Sequence, residues 1–372
     1  MEKYDVVIIG GGPAGASLGY ILKSNNISCC IIEKSLFPRR KLCGGLVTNK
    51  TALLYKKIFR EELSNYKMKT NNVSMYYKYK QLTTVKTEVP FYLVDRESFD
   101  YDLINKYKSI GGILFEKTTV KSVNEKESII NLSTGTAIEY KYLVGADGAN
   151  SFTRKYVDKN YKPNGFCVEI NEPIKSINDE LQLHLGILNS GYGWIFPKND
   201  ILTVGYGGIL SKNKQLTQNF DIYLENVGIK RTQRIMGAYI PYGKYVKVPY
   251  KNNIFLTGDA AGLVDPISGE GLYFAMLSAK VLADSIMEYS DINIITTNYM
   301  KEIRSMQLII DDSRKMSNRF FKPWFLRFAA TMLKKHPNVV KFACDNCFSV
   351  YNIPFKKFTS VYLEERKKRK RT

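Results

Sequence analysis

The 372-residue chain is too long for one compact core and implies two or three domains. Its 44% hydrophobic and 24% charged residues exclude general disorder, and no uninterrupted apolar stretch approaches the ~20 residues needed to span a bilayer. Lys and Arg outnumber Asp and Glu by 55 to 35, and the resulting charge of +20 favours anionic partners: a phosphorylated substrate, an acidic carrier protein, a lipid headgroup surface or nucleic acid.

The first apolar run, Tyr4–Ile9, passes straight into glycines and reads as a strand, not as the core of a secretory signal. It ends in Gly10-Gly11-Gly12-Pro13-Ala14-Gly15, followed by a helix from Ala16 to about Lys23 and a second strand, Ser28–Ile32, closing on Glu33. In this pattern Gly10 permits the tight turn, Gly12 lets the backbone approach a pyrophosphate, and Gly15 lets the helix pack closely on the strand. The helix N-terminus behind Pro13 and Ala14 offers N–H groups and partial positive charge to phosphates. Glu33 can accept hydrogen bonds from both ribose hydroxyls, which a purely structural turn would not explain. The unit predicts dinucleotide binding. With no secretory signal, the six cysteines (Cys29, Cys30, Cys43, Cys167, Cys344 and Cys347) point to a reducing compartment, so a cytoplasmic protein with mostly free thiols is expected.

Alternating or β-branched patterns predict strands at Val73–Tyr79, Gln81–Val89, Gly165–Asn171, Gln182–Leu188 and Ile201–Gly207, a substrate-covering antiparallel sheet. Between them, the stretch Arg96–Lys155 returns to the nucleotide domain and includes the strand Lys141–Asp147, followed by a turn and a helix start near Arg154. Asn253–Thr257 is another apolar strand, entering Gly258-Asp259-Ala260-Ala261-Gly262 and then Gly269-Glu270-Gly271, which opens a helix to about Tyr289. Asp259 leaves its strand where a carboxylate can hold a polyol hydroxyl, and the positive end of the Gly271 helix favours negative charge on a reduced ring system. From about Thr296 the pattern is helical, with Phe320, Phe321, Trp324, Phe325 and Phe328 among basic residues.

Three segments, Gly10–Gly15 with Glu33, Gly145–Arg154 and Gly258–Gly271, resemble the FAD-binding signature of the aromatic-hydroxylase-type flavoprotein superfamily. The resemblance implies FAD as cofactor. It also implies an α/β fold: a Rossmann-like FAD-binding domain, an inserted antiparallel β-sheet substrate domain and a C-terminal helical region. By this resemblance Asp147 and Gly148 lie near the pyrophosphate, Asp259 on the ribityl chain, and Gly269, Gly271 and Leu272 at the start of the helix aimed at the ring. Arg96 stands where the superfamily often places a cofactor-holding arginine. The expected division is 1–60, 96–160 and 245–295 for the FAD-binding domain, 61–95 and 161–244 for the substrate sheet, and 296–372 for the helical region.

Two further motifs, Pro38-Arg39-Arg40-Lys41-Leu42-Cys43-Gly44-Gly45 and Tyr192-Gly193-Trp194-Ile195-Phe196-Pro197-Lys198, resemble the geranylgeranyl reductase family. Members of that family saturate isoprenoid double bonds in tetrapyrrole side chains, archaeal lipids and some quinone tails. Its Tyr-x-Trp-x-Phe-Pro-Lys pattern is met at every fixed position. The resemblance implies that Tyr192, Trp194, Phe196, Pro197 and Lys198 serve the apolar substrate, and that Cys43 faces the flavin. Lys34, Arg40, Cys43 and Gly44 join the cofactor site. An isolated alkene accepts hydride poorly unless one carbon is protonated as hydride reaches the other. Reduced flavin supplies the hydride; aromatic walls can stabilise developing positive charge, and Cys43 either donates the proton or shapes the pocket. Lys198 is read either as a diphosphate contact or as a solvated lysine.

The expected function is therefore FAD-dependent reduction of a long isoprenoid chain. An FAD-dependent monooxygenase of an apolar substrate is the alternative, and a non-catalytic FAD-stabilised binding protein is a third reading. No second Gly-x-Gly-x-x-Gly unit occurs, so the reductant is either NAD(P)H docking transiently or a small acidic electron carrier steered by the positive charge. The run Arg366-Lys367-Lys368-Arg369-Lys370-Arg371 is expected to be a solvated tail suited to peripheral contact with anionic membrane, not to nucleic acid. No metal site is expected: Cys344-x-x-Cys347 has no second pair and reads as buried helical thiols. His184, in an alternating strand, reads as structural.

Overall fold

The computed structural model of the chain describes residues 1–174 and 178–347. The first apolar run becomes β1 (Glu2–Ile9), the glycine turn opens α1 (Pro13–Ser24), and the next run is β2 (Cys29–Ile32). A short β3 (Leu46–Val47), α2 (Asn49–Phe59) and the hairpin of β4 (Met68–Tyr77) and β5 (Lys80–Leu93) follow. Next come α3 (Arg96–Ser109), β6 (Ile113–Phe115), β7 (Val120–Asn124), β8 (Ile129–Leu132), β9 (Ala137–Gly145) and α4 (Arg154–Val157). The middle of the chain forms β10 (Gly165–Pro173), β11 (Glu180–Leu185), β12 (Gly191–Lys198), β13 (Ile201–Ile209), α5 (Phe220–Asn226) and β14 (Met236–Ile240). The last elements are β15 (Tyr250–Lys251), β16 (Ile254–Leu256), α6 (Leu272–Glu288), α7 (Ile292–Phe320), α8 (Pro323–Lys335) and α9 (Pro337–Cys347).

One sheet has the strand order β15-β16-β9-β1-β2-β6, with the β7–β8 hairpin joined through β8 to β9. The pairs from β16 to β6 are all parallel. Val6 and Ile8 face a core shared with α1, α3, α6 and α7, whereas Val7 and Ile9 face a second core closed by the hairpin. Burial on both faces explains why β1 is continuously apolar. The glycine turn is set by contact as well as by dihedral angle. Gly10 has φ +103°, and a Cβ there would lie 2.5 Å from the Ala146 carbonyl oxygen; at Gly15 it would lie 1.9 Å from the Gly10 oxygen. α1 begins at Pro13, earlier than the apolar pattern suggests, because proline at the first helical position needs no N–H partner.

The second sheet runs β14-β10-β13-β12-β11-β4-β5-β3. It is antiparallel except for β4 and β11, which pair in parallel, so the expected wholly antiparallel sheet is corrected at this seam. The two strands come from separate passes of the chain, and no hairpin dictates their direction. One face carries Val168, Ile170, Val204 and Tyr206 beneath α5. The opposite face carries Trp194 and Phe196 and turns toward the first sheet. His184 is buried on β11 and stacks on Tyr76 with ring centroids 4.5 Å apart; burial drives its pKa down to about 4, so the imidazole is neutral at physiological pH.

Two expected boundaries are corrected. β3, within the first sixty residues, pairs with β5 of the second sheet. Position 296 lies inside α7, whose Ile295, Tyr299, Ile303 and Ile310 are part of the first core. Asp291 starts that helix by accepting the Asn293 N–H at 2.7 Å, a capping signal upstream of the helical pattern. α8 and α9 instead pack on the second sheet through Leu326 and Val340. Cys344 is buried in α9, while the Cys347 side chain and the run Arg366–Arg371 lie outside the described residues.

β13 carries Gly205 opposite Trp194 of β12, and a Cβ at Gly205 would stand 2.4 Å from the indole ring. The indole lies across this glycine. Gly205→Ala is therefore expected to lower stability by about 1–3 kcal/mol through overpacking, read as a lower urea midpoint at unchanged slope; an unchanged midpoint would show that the ring is seated elsewhere.

Candidate active site

The two sheets enclose a cavity of about 620 Å³ at the carboxyl ends of β1, β2, β9 and β16. This is where open parallel sheets bind ligands, because successive loops diverge there. Gly12 caps α1, which has no acidic residue in its first turn. A Cβ at Gly12 would meet nothing closer than the Arg39 guanidinium at 3.6 Å, so the helix end is open to a phosphate. Glu33 Oε2 accepts the Gly11 N–H at 2.9 Å and Oε1 accepts the Ser35 N–H at 3.0 Å. Each oxygen keeps a further lone pair for a ribose hydroxyl.

Two arginines share one buried carboxylate beside this turn. Arg96 donates to Asp100 through Nε at 2.8 Å and through a terminal nitrogen at 3.0 Å, and Arg39 reaches the same Asp100 at 3.2 Å and Glu33 at 3.5 Å. Arg96 lines the cavity, and so does Arg39, which the sequence reading passed over. The neighbouring Arg40, singled out from sequence, is exposed at the rim, as is Lys34. Adjacent arginines look alike in a sequence; only the direction of the loop after Pro38 separates them.

Asp147 Oδ2 accepts the N–H groups of Phe152 and Thr153 at 2.8 and 3.0 Å and the Thr153 hydroxyl at 3.1 Å, while its buried Oδ1 has no partner. Arg154, also unassigned from sequence, donates to the carbonyls of Ala149, Gly148, Ala260 and Asp259 at 2.9, 3.2, 2.7 and 2.9 Å. It thereby ties the loop carrying Asp147 to the loop carrying Asp259. Asp259 Oδ1 sits 3.1 Å from where a Gly271 Cβ would be, so a side chain there would press against the carboxylate at the start of α6. Glu270 is anchored by Lys50 at 2.6 Å and by the hydroxyls of Thr48 and Thr51 at 2.7 and 3.0 Å.

The opposite wall is aromatic. Tyr192, Trp194 and Phe196 alternate along β12 on one face, with centroid separations of 6.0 and 6.4 Å. The Tyr192 hydroxyl donates to the Ser268 carbonyl, linking this wall to the turn before α6. The Cys43-Gly44-Gly45 loop lies directly against these rings. A Cβ at Gly44 would be 2.9 Å from the Phe196 ring and 3.3 Å from Trp194 Nε1. Cys43 Sγ accepts the Gly45 N–H at 3.4 Å and lines the cavity.

Of the residues singled out from sequence, Gly15, Pro197 and Lys198 do not line the cavity. Gly15 serves helix–strand packing. Pro197 points to the opposite side of β12 because side chains alternate along a strand. Lys198 is buried: its Nζ is 2.9 Å from where a Gly45 Cβ would be, which corrects the reading of it as solvated or as a contact within the cavity. The remaining candidates come together around one space. Open N–H groups at α1, acceptors at Glu33 and Asp259, the unpartnered Asp147 Oδ1, and the ion-paired Arg39 whose Nε makes no hydrogen bond suit a dinucleotide carrying a polyol chain. Among the described residues no group of His, Cys, Asp or Glu could hold a metal ion.

The FAD-binding domain family matches residues 3–172. An uncharacterized protein of Methanosarcina barkeri is 31% identical over 300 residues, covering 77% of this chain and 75% of its own. A digeranylgeranylglycerophospholipid reductase of Methanococcus vannielii is 27% identical over 318 residues, covering 77% and 78%. Among solved structures, a geranylgeranyl bacteriochlorophyll reductase-like protein of Thermoplasma acidophilum superposes with a TM-score of 0.71 at 20% identity, covering 97% of this chain and 96% of its own. A probable FAD-dependent monooxygenase of Pseudomonas aeruginosa gives 0.71 at 18%, covering 88% and 99%. The last two likenesses concern the fold. FAD is the cofactor of this chain.

Replacing Arg154 by Lys leaves one ammonium where a planar fork satisfied four carbonyls. FAD affinity is expected to fall about tenfold, the effect of losing roughly 1.4 kcal/mol of loop ordering, as read by flavin fluorescence titration. Unaltered affinity would show that the two loops hold their places without this clasp.

Proposed function

The chain belongs to the geranylgeranyl reductase family of FAD-dependent oxidoreductases, and from that membership we propose that it saturates carbon–carbon double bonds of a long, geranylgeranyl-type isoprenoid chain. The observation that carries this reading is the packing of the Cys43-Gly44-Gly45 loop against Trp194 and Phe196 at the cavity wall. Two segments about 150 residues apart in sequence meet where a thiol, an apolar wall and the cofactor loops share one space.

In this reading the first turn of α1 with Gly12, Pro13 and Ala14 receives the pyrophosphate, with Asp147 and Gly148 beside it. Glu33 orders the ribose, Asp259 the ribityl chain, and Gly269, Gly271 and Leu272 flank the ring. Bound and reduced, FAD supplies hydride to one alkene carbon. Cys43 holds a proton at Sγ and delivers it to the other carbon, its S–H bond breaking as the C–H bond forms. Tyr192, Trp194 and Phe196 exclude water and present ring faces to the positive charge that develops between the two transfers. Electrons arrive from NAD(P)H or from a small acidic carrier attracted by the net charge of +20. No helix among the described residues is long and apolar enough to cross a membrane.

Anaerobic, dithionite-reduced protein is expected to convert geranylgeranyl diphosphate to products heavier by two hydrogens per bond, as read by mass spectrometry. Oxygen-dependent hydroxylation without such products would overturn the proposal in favour of monooxygenation. Cys43→Ala is expected to retain FAD and to lose about 10²–10⁴-fold in reduction rate, the usual contribution of a positioned proton donor. Full turnover by that variant would leave Cys43 a packing residue only.

A further inference from the structure

Glu169 has no part in the chemistry described so far, yet it is buried at the edge of the site. It lies on β10, two residues from Cys167, on the side of the strand that faces the cavity; Val168 and Ile170 point to the opposite core. Glu169, Gly205 and Trp194 form one rung across β10, β13 and β12. Because Gly205 has no side chain, the indole lies across it and presents Nε1 toward the carboxylate. The carboxylate is 2% exposed, and neither Glu169 Oε2 nor Trp194 Nε1 closes a hydrogen bond.

A buried carboxylate without a closed partner is costly, so the residue tends to hold its proton instead. Burial pushes Glu169 up to about 7, and the pull of Lys198 from β12, the Trp194 indole N–H, the Cys43 backbone N–H and Arg96 from α3 keeps it from rising further. Lys198 is shifted the other way, lowered mainly by burial and held up by Glu169, Cys43 and Asp95. Cys167 on the same strand, which feels Glu169, Cys43 and Lys41 and in turn acts on Tyr192, has a thiol that burial pushes up to about 12, which keeps it protonated. A sheet stabilised only by charge pairing would place Lys198 within ion-pair distance of Glu169, and it does not.

We propose that Glu169 is the internal proton store of this site, returning a proton to Cys43 after each reduction. This rests on the proposed role of Cys43 as the proton donor. The O–H bond of the Glu169 carboxylic acid breaks as the S–H bond of Cys43 re-forms, leaving a carboxylate. That charge is met by Lys198 and by the N–H groups of Trp194 and Cys43, and the carboxylate regains its proton from water through the cavity. Glu169 touches neither substrate nor cofactor in this scheme; it acts through Cys43. The sequence reading takes Gly165–Asn171 only as a strand of the substrate sheet and does not single Glu169 out.

The first test needs no turnover. Iodoacetamide alkylation of Cys43 in the full chain, followed on its peptide by mass spectrometry across pH, is expected to shift to lower pH by about one unit in Glu169→Gln, because the anionic neighbour is gone. Glu169→Asp restores the wild-type profile. Infrared difference spectra of the wild type should show a protonated carboxyl band that titrates near neutrality and is missing from Glu169→Gln. Superimposable alkylation profiles, or a band unaffected by the substitution, would overturn the proposal. With geranylgeranyl diphosphate, Glu169→Gln should keep its first turnover and slow later ones at least about tenfold; equal slowing of all turnovers would mark Glu169 as structural. If the wild type fails to reduce this probe, the isoprenoid reading falls, while alkylation and infrared results still decide whether Glu169 and Cys43 share a proton.

Discussion

The site depends on the contact between a loop with almost no side chains and a row of aromatic rings. Gly44 touches Phe196 and Trp194 so closely that a methyl group would have to displace a ring. Gly45, with φ +76°, leaves no room for a side chain between the Val94 carbonyl and Lys198. Through this contact the second sheet sits directly against the nucleotide-binding loops, and the thiol of Cys43 stands beside them. Interiors pack like crystals, so a contact this tight transmits position between the sheets.

Buried charges hold the remaining loops, each in a network. Asp100 is shared by Arg39 and Arg96, Glu270 by Lys50 and two threonines, and Arg154 by four carbonyls. Such groups add little net stability, since desolvation offsets the attraction, but removing one member strands the others. Their value here is geometric. They fix the turn after β1, the turn after β9 and the start of α6 around one cavity before any ligand arrives, and a pre-ordered site loses less entropy on binding.

Glu169 and Trp194 depart from that pattern of satisfied polar groups: Glu169 Oε2 and Trp194 Nε1 are buried without a hydrogen-bond partner on one rung of the second sheet. Elsewhere the second sheet carries apolar residues beneath α5 and His184 kept neutral against Tyr76, and there too His184 Nδ1 and the Tyr223 hydroxyl are buried without a partner.

The sequence by itself determined the nucleotide-binding unit and the family. Glycines under steric compulsion, a strand buried on both faces and an acid at a strand end are local demands, and each leaves its own mark on residue type and spacing. The direction of individual side chains was not written locally. Arg39 instead of Arg40 reaches inward, Lys198 is buried beneath Gly45, Arg154 spans two loops, and Glu169 turns into the protein, because strand register and loop path decide these. The same holds for the parallel seam between β4 and β11 and for α7 joining the first core: both arise from contacts between segments far apart in the chain, which only the tertiary structure brings together.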